Sequence, residues 1–269
     1  MTTATVSTDL TDPAPSAASA AARWGVLAYG ALAYAMFLGV FLYAVCFIIG
    51  FAVPVTLDTM PGGDPLAALL TNAGLLGLFA LQHSLMARPA FKRAITRVIP
   101  QPAERSTYVL CTNIALLAMF FFWQPMGGVI WDAQHPALRV VLDALGVAGW
   151  GIVLLATFLI NHFDLFGLRQ VWLCFRNKPY TPPVFGTPML YRIVRHPLYV
   201  GWLMAFWFTP TMTAAHLVFA IATTVYILVA IQLEERDLVA EHGEKYIAYR
   251  ERVPMLVPFL KAKPGREAA

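Results

Sequence analysis

The sequence predicts an all-α integral membrane protein that crosses the bilayer about five or six times. Three observations lead to this fold class. Hydrophobic residues make up 59% of the 269 residues and charged residues only 13%, whereas soluble domains average roughly 45–50% apolar and roughly 25% charged residues. The apolar residues fall in runs as long as a membrane-spanning helix. The charged residues gather in the loops between these runs.

The first 22 residues are predicted to form a disordered tail. They are mostly Ala, Ser, Thr, Pro and Asp, a composition that cannot bury a hydrophobic core. No basic start leads into a short apolar region, so the segment does not have the pattern of a signal peptide. Residues 23–269 are predicted to form one membrane domain.

Four long apolar runs predict the first four spans. The first run exceeds a hydrocarbon core of ~30 Å at ~1.5 Å per residue, which predicts a tilted helix or interfacial ends. The polar stretch that follows the fourth run carries enough apolar residues to predict short segments lying on the membrane surface. The predicted spans are residues 24–53, 66–87, 107–123 and 138–160.

A helical hairpin is predicted near the C-terminus, formed by residues 197–208 and 213–233. The Thr-Pro-Thr sequence at residues 209–211 breaks the two helices. The first arm is short for a complete crossing, so we expect it to enter only part of the bilayer.

The distribution of basic residues predicts the orientation. Six segments place both termini on one side, and the loops on that side hold 18 of the 19 lysines and arginines. Arg139 is the exception. Because basic loops stay in the cytoplasm, we expect cytoplasmic termini, with a bacterial inner membrane as the location. The candidate groups for chemistry then face the cytoplasm.

Several classes of function are excluded by the pattern. The three cysteines are far apart, without the spacing of a metal site or a disulfide framework. The basic charge is spread over loops instead of forming the clustered face that binds nucleic acid. No predicted span carries an ionisable residue near its middle, which disfavours a transporter or proton relay.

Polar residues crowd at the start of the C-terminal hairpin. Pro197 suits the first turn of a helix, so Arg195 and His196 should lie at the helix entrance. Glu234 and Glu235 fall at the cytoplasmic end of the next helix, and the hairpin should bring them near. Two acids at a helix C-terminus oppose the helix dipole unless a cation binds them. The alternative is a solvated helix end with ordinary charge pairs.

These blocks resemble the C-terminal module of integral membrane methyltransferases, which include isoprenylcysteine carboxyl methyltransferases and phospholipid N-methyltransferases. The resembling segments are 195–201 (RHPLYVG), 234–238 (EERDL) and 246–254 (YIAYRERVP). The resemblance implies that residues 191–258 form a module that binds S-adenosylmethionine. The residues that it assigns to the cofactor are Arg195, His196, Tyr199, Gly201, Glu234 and Glu235, with Gly149 and Gly151 on the preceding span.

The residue types suit a sulfonium cofactor. Carboxylates and the aromatic faces of Tyr199 and Trp202 can stabilise its fixed positive charge. Arg195 can hold a carboxylate through two parallel hydrogen bonds. For the two glycines of the fourth span, close helix packing is the alternative interpretation.

Upstream segments resemble one subfamily more closely, the bacterial methanethiol S-methyltransferases. They are 81–88 (LQHSLMAR), 102–108 (PAERSTY) and 161–170 (NHFDLFGLRQ). This subfamily makes dimethyl sulfide from methanethiol and S-adenosylmethionine. The resemblance therefore implies a small lipophilic thiol as the second substrate.

The thiol needs deprotonation, because a free thiol is a poor nucleophile. His162 with Asp164 is the candidate pair, since histidine titrates near neutral pH and an aspartate can orient its ring. The alternative is that both residues cap the helix end and pair with Arg169. His83 and Arg169 are candidates for the substrate pocket, with a packed structural histidine as the alternative for His83.

Other functions stay open from the sequence alone. The same cofactor with another acceptor, such as hydrogen sulfide, a lipid amine or a prenylated cysteine, fits the module. A membrane binding protein without catalysis and a reductase of the sterol type are further alternatives. Intact Arg-His-Pro and Glu-Glu blocks argue against the non-catalytic protein.

Overall fold

The computed structural model describes residues 19–60 and 63–260 as a bundle of helices. Five of these helices, α1, α2, α4, α5 and α9, are long and apolar enough to cross a membrane, which confirms the predicted fold class. Residues 1–18 of the predicted tail lie outside the described part, and α1 includes residues 20–22. The helices are α1 (Ala20–Ile49), α2 (Pro65–Ala87), α3 (Pro89–Ile95), α4 (Glu104–Phe122), α5 (Pro136–Ile160), α6 (His162–Leu165), α7 (Leu168–Phe175), α8 (Pro197–Trp207), α9 (Ala214–His242) and α10 (Glu244–Arg252).

Local chemistry explains where several helices begin and end. Asp64 caps α2 by accepting a hydrogen bond of 2.8 Å from the Leu66 amide, directly before Pro65 in the first turn. The Thr213 hydroxyl accepts from the third residue of α9 in the same way. Gly50 ends α1 in the left-handed conformation that glycine tolerates best.

The first arm of the C-terminal hairpin is short, as expected. With 11 residues, α8 extends only about 16 Å at about 1.5 Å per residue, roughly half of a hydrocarbon core. The second arm is longer than predicted, because α9 continues past residue 233 to His242. The two glutamates therefore lie inside a continuous helix.

A short antiparallel ribbon of β1 (Val129–Asp132) and β2 (Thr211–Thr213) closes the other end of the bundle. It was not predicted, because strands of three and four residues show no clear alternation. Arg139 forms a salt bridge of 2.7 Å with Asp132. Nearby, Nε2 of the buried His216 donates to the Phe206 carbonyl at 2.9 Å, which joins the end of α8 to the start of α9.

Helices α5 and α8 cross so closely that only glycine fits at their contact. A Cβ atom on Gly149 would lie 2.7 Å from the Gly201 carbonyl oxygen, and one on Gly201 would lie 2.7 Å from the Gly149 carbonyl oxygen. The rings of Trp150 and Trp202 meet beside this crossing, with centroids 5.1 Å apart. The α5–α8 contact therefore fixes α8 in the bundle and determines where its first residues lie.

Candidate functional site

The entrance of α8 and the last turns of α9 meet at the end of the bundle where the predicted site residues lie. Arg195 is at the centre of this junction, and its side chain is only 8% exposed. Its Nε donates to Oε1 of Glu235 at 2.7 Å. Its Nη1 donates to the carbonyl oxygens of Arg250 and Val253, at 3.0 and 2.6 Å. Arg195 thus joins α8, α9 and the segment after α10.

His196 strengthens the same junction. Its Nε2 lies 3.0 Å from Oε1 of Glu235, so the one carboxylate oxygen accepts from both neighbours. The His196 ring is buried, with Nδ1 3.9 Å from Oε2 of Glu234. The backbone amides of Arg195 and His196 donate to the carbonyl oxygens of Pro254 and Met255, respectively. The predicted approach of Glu234 and Glu235 to Arg195 and His196 agrees with this geometry, and the contact with residues 254 and 255 was not predicted.

The two glutamates differ in environment. Glu235 is buried in the cluster with Arg195 and His196. The side chain of Glu234 is 44% exposed and accepts a hydrogen bond of 3.0 Å from the Tyr199 hydroxyl. The Trp202 ring, which the sequence analysis assigned to the sulfonium charge, packs against Trp150. Glu234 is therefore the carboxylate that remains free to face a cationic ligand.

Tyrosines from the C-terminal module surround the two glutamates. The Tyr249 hydroxyl donates to the Tyr191 carbonyl oxygen at 2.6 Å. The hydroxyls of Tyr191 and Tyr246 are buried and have no hydrogen-bond partner among the described residues. Burial, and then the charge of Glu235, raise the pKa of Tyr246, so this hydroxyl is a neutral donor. Unpartnered buried donors beside carboxylates fit a polar, cationic ligand such as S-adenosylmethionine.

The glycines predicted to contact the cofactor have different surroundings. Gly149 and Gly201 fit the close approach of α5 and α8, as described above. A Cβ on Gly151 would have no atom within 4 Å, so this glycine faces open space. The geometry favours helix packing over cofactor contact for Gly149 and Gly201. For Gly151 it supports neither helix packing nor cofactor contact.

His162 is enclosed by hydrogen bonds and aromatic rings. Thr157 donates its own proton to the Leu154 carbonyl oxygen, so its oxygen accepts from His162 Nδ1 at 2.8 Å. That tautomer leaves Nε2 to accept from the Tyr34 hydroxyl at 2.8 Å. One face of the ring is covered by Phe158 in parallel stacking, with centroids 4.2 Å apart.

Asp164 does not orient the His162 ring, contrary to our expectation. Its carboxylate accepts from Arg169 at 2.8 Å and from the Tyr180 hydroxyl at 3.1 Å, and within the described ranges no hydrogen bond joins it to His162. Arg169 also donates to the Thr181 carbonyl oxygen. Asp164 and Arg169 thus fasten the loop after α7. The catalytic assignment of His162 and Asp164 stays a prediction to which this geometry adds no contact.

His83 lies in a second polar group on α2 and α4. The Tyr108 hydroxyl is 2.8 Å from His83 Nε2 and 3.0 Å from Nδ1. Thr112 Oγ1 is 3.3 Å from Nδ1. The neighbouring Ser84 is 3.2 Å from the hydroxyl of Tyr226 on α9. Tyr108 ends the 102–108 segment of the sequence analysis, which gave it no function, and no pattern distinguishes Tyr226 from other tyrosines of apolar helices.

Together, the fold and the site define a multi-pass helical membrane protein in which the entrance of the short helix α8 and the last long helix, α9, share a buried Arg-His-Glu cluster. Over 241 residues, the chain is 56% identical to the methanethiol S-methyltransferase of Crocosphaera subtropica, which spans 90% of this chain and 94% of that protein. The chain therefore belongs to the methanethiol S-methyltransferase family.

Further relatives agree with this assignment. The methanethiol S-methyltransferase of Mycobacterium tuberculosis is 52% identical over 88% of this chain and 97% of its own length. Nurim of Xenopus laevis is a more distant relative, with 30% identity over 62% of this chain and 61% of its own length. No protein-family model and no solved structure matches the chain.

Proposed function

We propose that this protein transfers a methyl group from S-adenosylmethionine to methanethiol and thereby forms dimethyl sulfide. The observation that carries the proposal is the identity of 56% and 52% to two methanethiol S-methyltransferases, each matched along nearly its whole length. The site at the α8–α9 junction supports it, because a half-exposed carboxylate beside buried hydroxyls suits a polar cation.

The cofactor supplies a methyl group on a positively charged sulfur. Glu234 stabilises this charge, and Tyr199 fixes the position of the carboxylate through its hydrogen bond. Tyr191 and Tyr246 offer their unpartnered hydroxyls to the polar groups of the cofactor. These four residues form the proposed contact surface.

Arg195, His196 and Glu235 have a supporting function in this proposal. Three N–H groups of Arg195 donate to other groups of the protein. The Glu235 carboxylate accepts from both Arg195 and His196. The cluster holds residues 250–255 against α8 and so shapes the wall behind Glu234. Arg195 retains the donors of Nη2 for a bound carboxylate.

The electrostatics of the reaction suit a site at the end of a membrane bundle. A thiolate and a sulfonium react to give two neutral thioethers, so separate charges disappear during the transfer. A poorly hydrated site favours such a reaction because it stabilises separate charges less than water does. Exclusion of water by the α8 entrance is thus part of the proposed catalysis.

The proposal places both termini in the cytoplasm and the protein in a bacterial inner membrane. The loops between the ends of α2 and α4, and between α5 and α8, carry most of the basic residues of the described chain, as the positive-inside rule requires. Residues 23–269 then form a single domain whose module 191–258 binds the cofactor from the cytoplasmic side.

The acceptor can be tested by competition. Purified full-length protein in nanodiscs is given S-adenosylmethionine with methanethiol, hydrogen sulfide and phosphatidylethanolamine together, and volatile and lipid products are measured by mass spectrometry. We expect dimethyl sulfide to be the dominant product. Methylation of the lipid without dimethyl sulfide would reject methanethiol as the acceptor but retain the cofactor.

A further inference from the structure

Two histidines of the described chain each lie beside a threonine and a tyrosine, and they differ in access to the proposed site. Both His83 and His162 lie beside a threonine whose own hydroxyl proton is donated to a helix carbonyl. Each threonine oxygen lies within 3.3 Å of Nδ1, and a tyrosine hydroxyl lies 2.8 Å from Nε2. In the tautomer in which Nδ1 donates to the threonine, the electron pair of Nε2 can accept from the tyrosine.

We propose that Tyr108 and His83 bind and deprotonate the acceptor thiol, with Tyr108 in contact with the substrate and His83 as the final proton acceptor. This inference rests on the proposed function. It assigns the acid–base chemistry to α2 and α4 and not to the His162 region.

The first argument is proximity to the cofactor wall. The Ser84 hydroxyl, next to His83, lies 3.2 Å from the hydroxyl of Tyr226 on α9, and Arg88 at the end of α2 forms a salt bridge of 3.2 Å with Asp237 on α9. The end of α2 that carries His83 is thus joined to α9 on both sides of Glu234. Within the described residues, the hydrogen bonds of the His162 ring go to Tyr34 and Thr157, and none joins it to α9.

The second argument is access. His162 is 4% exposed and lies among Phe158, Phe163 and Phe166. His83 is partly exposed. It is carried by α2, in which only Ala68, Asn72 and Met86 are buried. The partly exposed His83 is thus more accessible to a small thiol than His162, and Met86 and Val109, which pack with Tyr108, suit the methyl group of the thiol.

The third argument is the direction of the hydrogen bonds. When His83 Nε2 is unprotonated, the Tyr108 hydroxyl, 2.8 Å away, donates to it, and the electron pairs of the Tyr108 oxygen can then accept from a thiol S–H. The Arg105 guanidinium lies over the Tyr108 ring, 4.9 Å from its centroid. Its positive charge stabilises the oxygen while the proton moves.

The proposed step balances as follows. The thiol S–H bond breaks and its proton passes to the Tyr108 oxygen, while the Tyr108 proton passes to His83 Nε2. The sulfur electron pair forms the new bond to the methyl carbon, and the sulfonium–methyl bond breaks with its electrons on the departing thioether. A thiol proton becomes strongly acidic as the S–C bond forms, so a neutral imidazole is a sufficient acceptor. The imidazolium proton is then released to water.

The charged and titratable groups around the Tyr108 hydroxyl come from several elements. In addition to His83 they are Arg105 and Glu104 on its own helix, Arg88 at the end of α2, Tyr226 on α9 and Tyr199 on α8. The control variant for the pH dependence of the rate must therefore leave all of these groups in place. Tyr29→Phe is suitable, since its hydroxyl contacts Thr107 at 2.9 Å beside an apolar cleft of 320 Å³ that no predicted site residue lines.

The test compares Tyr108→Phe, His83→Asn, His162→Asn and Tyr29→Phe in nanodiscs. We expect Tyr108→Phe and His83→Asn to lower kcat for methanethiol about 100-fold near pH 7, with the Kd of S-adenosylhomocysteine unchanged. The defect should shrink about tenfold for each pH unit as the thiol ionises by itself. Tyr29→Phe should retain the wild-type rate.

Two results would overturn the inference. One is a pH-dependent defect in His162→Asn with Tyr108→Phe near wild type, which would return the proton transfer to His162. The other is a Tyr108→Phe defect that stays constant with pH. A wild-type protein that does not bind S-adenosylhomocysteine would instead contradict the proposed function. Failure of the inference and failure of the proposed function are therefore distinguishable.

Discussion

At the scale of the residue, Glu234 and Glu235 are adjacent in sequence but differ in environment. Glu235 is held by Arg195 and His196, and Glu234 remains half exposed beside Tyr199. Glu235→Gln leaves the Arg195 charge buried with a weaker partner, so we expect a loss of up to about 3–5 kcal/mol in the free energy of unfolding. Glu234→Gln is the matched control and should change that energy by less than about 0.5 kcal/mol. Equal losses of unfolding free energy in the two variants, measured by denaturant unfolding, would contradict the different environments of the two carboxylates.

Ligand binding gives a separate prediction for Glu234. A carboxylate that faces a sulfonium should favour S-adenosylmethionine over the neutral S-adenosylhomocysteine. We expect Glu234→Gln to reduce this preference about tenfold, equivalent to about 1.4 kcal/mol, as measured by calorimetric Kd values of both ligands. An unchanged ratio of the two Kd values would place the sulfonium elsewhere.

His162 makes the stability depend on pH. Burial lowers the pKa of His162, so the unfolded chain binds the proton first as the pH falls below about 6.5. The stability associated with neutral His162 is complete above that pH and is lost as the pH falls towards the lower pKa of the folded state. His162→Asn should reduce the change of the thermal unfolding temperature with pH in this range. Substitution of the exposed His135 should leave that change as it is in the wild type. If the unfolding temperature of His162→Asn still changes with pH as in the wild type, His162 is not the cause of the pH dependence.

At the scale of the element, the α5–α8 crossing determines the site geometry. Gly149→Ala and Gly201→Ala would each place a methyl group 2.7 Å from backbone atoms of the partner helix. We expect a loss of about 1–3 kcal/mol from overpacking, together with weaker cofactor binding because the α8 entrance shifts. Gly151→Ala, on the same helix with open space around it, should be neutral or slightly stabilising. Thermal unfolding checks this, and a neutral Gly149→Ala would contradict the close crossing.

The sequence predicted these elements better than their contacts. Long apolar runs determine helices strongly, so α2 and α5 begin within two residues of their predicted starts and end at the predicted residues. Charge pairing at Arg195 and Glu235 followed from hairpin geometry. The ribbon and the contact of Tyr108 with His83 depend on which elements become neighbours, and hydropathy carries no information about that.

At the scale of the whole molecule, the account depends on the topology. Thr181 lies on the side proposed to be cytoplasmic, and Gln134 lies beside the ribbon at the opposite end. In a variant without native cysteines, an impermeant maleimide added to intact cells should label Gln134→Cys but not Thr181→Cys until the cells are lysed. The opposite labelling would reverse the orientation and place the proposed cofactor site outside the cytoplasm.

The central claim is that the chain moves a methyl group from S-adenosylmethionine to methanethiol. Its most direct test supplies purified protein with S-adenosylmethionine that carries a trideuterated methyl group and with unlabelled methanethiol, and measures the mass of the released gas. The account predicts dimethyl sulfide that contains one deuterated and one ordinary methyl group. Absence of this mixed product, in a preparation that binds S-adenosylhomocysteine and retains its folded helices, would contradict the account.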